Sequence, residues 1–151
     1  MSWDTVLRGI DAVLQSDAGR SEKAVRIAEL IRQAGGYRWV GLYEVTDREI
    51  EVLGWSGPGA PAYPRFPATQ GLSGAAVAAK RTVLVNDVTT DPRYLTTSAG
   101  TLAEIIVPVV DPGGGAVVGT LDVESPERDA FTEADRQPLE RCAAAITGLF
   151  A

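Results

Sequence analysis

Histidine is absent from this chain of 151 residues, and cysteine occurs once, at Cys142. Without an imidazole the chain has neither the commonest general base, nor the usual haem and zinc ligand, nor the phosphate-accepting residue of a histidine kinase. One thiol cannot make an intramolecular disulfide, a cysteine zinc site or a dithiol redox pair, so thiol redox chemistry would need a second molecule. No apolar run approaches the ~20 residues of a membrane span, and the opening Met1-Ser2-Trp3-Asp4 lacks the basic and apolar regions of a secretory signal. The 14 basic residues are scattered and outnumbered by 20 acidic ones, and a net charge of −6 opposes a phosphate backbone or an anionic membrane surface. The expectation is a cytoplasmic protein with no nucleic-acid and no membrane partner.

With 45% hydrophobic residues, no repeat and no linker, residues 1–151 read as a single domain with an ample core. After Ser2, the residues Trp3, Val6, Leu7, Ile10, Val13 and Leu14 recur at helical spacing. After Ser21, Ala24, Ile27, Leu30 and Ile31 do the same, and Gly35-Gly36 stops them. Residues 37–45 and 49–55 alternate as an antiparallel strand pair, and the proline-rich stretch from Gly57 to Pro67 reads as a loop. Residues 71–80 read as a short helix and 82–85 as a strand, while 86–103 has no period. Thr132, with Asp135 three residues on, approximates a capping box opening a last helix through Leu139, Cys142, Ile146 and Leu149, which Pro138 should disturb in its second turn.

The most informative stretch runs from Ala103 to Ser125, two apolar strands joined by the Asp111–Gly115 turn. Paired symmetrically about that turn, residues 104–110 and 116–124 set Glu104 opposite Asp122, with Glu124 on the same face. Like charges directly opposed destabilise a sheet, so three acids on one face need a reason. They either pair with Arg38, Arg65 or Arg93 at a solvated edge, or line a pocket for a cationic group such as the ammonium of an amino acid.

The order of elements, with Gly119-Thr120-Leu121-Asp122 followed by Phe131-Thr132-Glu133, resembles a GAF domain over nearly the whole chain. Residues 38–43, 65–67, 71–74, 103–108 and 121–125 are most similar to free methionine-R-sulfoxide reductase within that superfamily. The resemblance implies an α+β fold. Its central antiparallel sheet would carry the N- and C-terminal helices on one face, with loops and a short helix covering a ligand pocket on the other. It further implies a homodimer through the terminal helices, whose apolar stripes look larger than one face of a small sheet covers.

That family reduces its substrate with thiols. Aligned on Pro67, Gly71–Gly74 and Glu104, its three cysteines fall on Tyr63, Ser73 and Thr97, so thiol-based reduction is not expected here. Its acidic binding residues fall on Glu104, Asp122 and Glu124 and its pocket tryptophan on Trp39, with Tyr43 beside it and Tyr63 and Tyr94 on the covering loops. The implied function is capture of an amino-acid-like small molecule, by a sensor or binding module, with no cofactor. The alternative is a divergent enzyme acting through the carboxylates or a metal they hold. A structural dimer module with a collapsed pocket is the third reading.

Overall fold

Helical spacing and caps become helices α1 and α2. In the computed structural model, which describes residues 2–96 and 100–150, α1 spans Trp3–Gln15 and buries Val6, Ile10 and Val13. The Ser2 hydroxyl accepts the Thr5 N–H at 3.2 Å, meeting one of the donors that the first helical turn leaves open. α2 spans Arg20–Gly35, with Gly19 instead of Ser21 at its N-cap, and is closed by Gly36 in the left-handed conformation (φ 66°).

The strands β1 (Trp39–Val45), β2 (Glu49–Ser56), β3 (Arg65–Pro67), β4 (Val83–Val85), β5 (Ala103–Val110) and β6 (Val117–Ser125) form one antiparallel sheet in the order β3-β2-β1-β6-β5-β4. β3 corrects the reading of 57–67 as loop: Ile50 pairs with Phe66, but three residues ending in proline are too short to show a period. The short helix α3 covers Gly71–Ala79, and a 3-10 turn at Val88–Thr90 breaks the aperiodic stretch. α4 spans Glu133–Ala145 behind the expected capping box and continues through Pro138.

Alternate residues of the central strands face two different worlds. Val40, Leu42, Ile105, Val107, Val109, Leu121 and Val123 join α1, α2 and α4 in one apolar core. Trp3, Leu7, Leu14 and Phe150 pack half-buried against that core, so the stripes that led to the dimer expectation are largely covered within one chain. α3 and the loops lie over the opposite face. No helix among the described residues is long and apolar enough to cross a membrane.

Candidate functional site

Glu104 on β5 and Asp122 and Glu124 on β6 project from the loop-covered face, because residues of like parity share a face. The register differs from the symmetric one: Glu104 stands opposite Glu124, and Asp122 opposite Ile106. Two single-residue offsets cause this. Asp111 N–H donates to Ala116 O at 2.8 Å, closing the turn one residue late, and an irregularity between Val109 and Val110 adds the second. A net shift of two preserves the face, which is why the acids still converge. One oxygen from each lies within 4.8 Å of the others, and each residue is only 1% exposed.

Burial, then the charge of Glu104, push the Asp122 carboxyl well above the ordinary carboxylate range. Tyr43 on β1 is likewise pushed up, by burial and then by Asp122, Glu124 and Glu104; so is Tyr94, by burial and then by Glu124 and Glu104. Two of the three arginines proposed as partners are engaged elsewhere: Arg65 pairs with Glu51 at 2.8 Å and Arg93 with Asp91 at 2.7 Å. Arg38 is exposed, against Gly100. Thr101 donates to Glu124 Oε1 at 2.5 Å, tying the end of the covering segment to the acids. Buried Asp122 Oδ1, Tyr43 OH and Thr120 Oγ1 find no hydrogen-bonding partner among the described residues.

Beside the acids stands an aromatic wall. Gly41 pairs with Asp122, and a Cβ there would meet the Trp39 ring at 2.4 Å and Tyr43 at 3.0 Å, so the two rings close over the glycine. Trp39 stacks on Trp55 (6.5 Å, 12°) and donates its indole N–H to Gly59 O at 2.9 Å. Tyr63, which is exposed, and Ser73, in the first turn of α3, line a cavity of about 10 Å³ together with Phe66, Leu95 and Glu104. That is room for about one water. Gly71 and Leu95 separate this cavity from an open groove of about 720 Å³ between α3, Thr46–Asp47 and residues 92–95, and they line both. The groove is the larger space but does not reach the acids, so the chemistry lies in the smaller one.

The structure therefore brings together Glu104, Asp122, Glu124, Tyr43 and Tyr94, sets Trp39 beside Asp122 across Gly41, and places Tyr63 and Ser73 on the cavity wall. Thr97 lies outside the described residues. Two contributors escaped the sequence reading. Thr120 shares the parity of Asp122 and Glu124 and was legible from it; Thr101 ends an aperiodic stretch and carried no signal. Cys142 sits on α4, buried in the helix-side core, and burial pushes its thiol up to about 12.

The GAF domain family model matches residues 20–148. The chain belongs to that family. GAF domain-containing protein A of Dictyostelium discoideum is 26% identical over 138 residues, 91% of this chain and 85% of that one. Free methionine-R-sulfoxide reductase of Saccharomyces cerevisiae is 30% identical over 110 residues, 72% of this chain and 60% of the yeast protein. Among solved structures, free methionine-R-sulfoxide reductase from Neisseria meningitidis, in complex with its substrate, superposes with a TM-score of 0.85 at 29% identity, covering 98% of this chain and 87% of that one. Both reductases and other members of the GAF family are thus among its relatives.

Proposed function

We propose that this GAF domain binds an amino-acid-like small molecule by its ammonium group, at the carboxylates of Glu104, Asp122 and Glu124, without reducing it. The observation that carries the reading is the convergence of three buried acids on one point, with Asp122 Oδ1 facing no donor among the described residues. A buried polar atom without a partner costs about 1–3 kcal/mol, and an ammonium supplies both the missing donor and the compensating charge. Trp39 and Tyr43 offer apolar surface for the ligand's body. The likeness to the Neisseria reductase, whose structure holds its substrate, and to the yeast reductase supports capture of a small molecule. Tyr63, Ser73 and the buried Cys142 argue against their thiol chemistry, because a thiol held up to about 12 is not a thiolate near neutral pH.

The test is a thermal-shift screen of the standard amino acids and their sulfoxides beside a reductant-coupled turnover assay. A compound that raises Tm, together with turnover no greater than the protein-free control, is the expected result. Turnover that survives Cys142→Ser would overturn the non-reductive reading. A second reading rests on the all-oxygen character of the cluster, which suits a hard divalent cation serving an enzyme of carboxylate type. Calcium, magnesium and manganese in the same screen, with and without chelator, separate it from the first.

A further inference from the structure

Asp122 brings a carboxyl oxygen to within 4.8 Å of one from each of Glu104 and Glu124, and its buried Oδ1 has no hydrogen-bonding partner among the described residues. Ionised carboxylates only accept, so a proton held on one of them is the donor that the three cannot otherwise give one another. Three such groups with oxygens within 4.8 Å, all sealed from solvent, cannot together hold three negative charges without a cation. We propose that the ligand-free protein keeps at least one proton inside this cluster and releases it when an ammonium enters, so that binding exchanges one positive charge for another. This rests on the ammonium reading above and adds its regulation: binding is coupled to pH.

The surroundings leave the carboxyls as the place for that proton. β1 presents Tyr43, the covering segment Tyr94, β5 Glu104 and β6 Glu124; α3 presents Ser73, and Thr101 faces Glu124. Both tyrosines are held above their ordinary value, chiefly by burial, and stay neutral. Among the described residues, no arginine or lysine contributes to the charge around Asp122. Arriving N–H donors engage the oxygens that the proton had joined, the positive charge lowers the cluster's proton affinity, and the proton passes to bulk water. If one proton leaves per ligand, apparent affinity rises about tenfold for each pH unit below the cluster's own titration.

Two measurements on the full chain decide this. Infrared spectroscopy near neutral pH should reveal the carbonyl stretch of a protonated carboxyl. Asp122→Asn should remove it, because the amide supplies its own donors to both glutamates. Calorimetric titration with the standard amino acids, run in two buffers of different ionisation enthalpy, should show proton release for each amino acid that binds, and less release in Asp122→Asn. A wild-type protein without the carboxyl band overturns the proposal whatever binds. Binding with the band present but no proton release overturns the exchange and leaves the ammonium reading standing. A band with no binding by any amino acid overturns the ammonium reading and the exchange with it.

Discussion

Leu121 and Asp122 are neighbours on β6, equally buried, and belong to opposite halves of the molecule. Leu121 faces α1, α2 and α4, within one continuous cluster of buried apolar side chains. Asp122 faces α3 and the loops, among acids and tyrosines, and its Oδ1 finds no donor among the described residues. Burial alone therefore says little about what a position does. The helix side is complete as it stands and serves stability. The loop side carries uncompensated polarity, which costs stability and is retained where something else completes it.

The comparison is broken most forcefully from the helix side. Leu121→Ala should cost about 2–5 kcal/mol in chemical denaturation, the range for emptying a packed core position. A loss below about 1 kcal/mol would mean that the helix side is loosely packed and the contrast false. Next in size is Gly41→Val, which drives a side chain into the Trp39 and Tyr43 rings. It should cost about 1–3 kcal/mol and change tryptophan emission, since Trp39 must leave its stack on Trp55. Unchanged emission would show that the wall is not where the structure puts it.

Asp122→Asn should be close to neutral or stabilising in the ligand-free protein, by up to about 1 kcal/mol, although it alters a residue as buried as Leu121. Its pH dependence sharpens the contrast. A carboxyl raised in the folded state contributes stability that is full below the ordinary carboxylate pKa of ~4 and is lost as pH rises through the folded value. The wild type should therefore lose ground to Asp122→Asn as pH climbs from about 4 upward, as read by Tm at several pH values. The opposite slope would mean that the cluster is ionised and compensated. The smallest effect is expected at the sheet edge. Arg65→Ala removes an exposed ion pair with Glu51, and thermal melts should not distinguish it from the wild type.

The helix side of the fold was legible because its signals are local. Val6, Ile10 and Val13 repeat at helical spacing, and Thr132 with Asp135 makes a capping box that α4 uses despite Pro138. The parity of β5 and β6 placed three acids on one face, and parity survives any shift by two. The pairing within that face was not legible: the late turn closure at Ala116 and the irregularity at Val109 depend on backbone geometry that no side-chain pattern announces. β3 was hidden for a related reason, since Arg65–Pro67 becomes a strand only because Ile50 offers Phe66 a partner. The site's closure was equally out of reach. It depends on Leu95 meeting Gly71, a contact between residues whose sequence separation carries no code for it.

The contact between Leu95 and Gly71 has a kinetic consequence. A Cβ built on Gly71, which has φ +74°, would come within 3.1 Å of Leu95 Cβ, and these two residues stand between the outer groove and the small cavity beside Glu104. A molecule arriving from the groove has to wait for them to part. Its observed association rate should climb with concentration and then level off, at the frequency of that opening. Departure meets the same obstacle, so a modest equilibrium affinity can coexist with a long residence time. Leu95→Ala would raise both rates together while leaving their ratio nearly where it was.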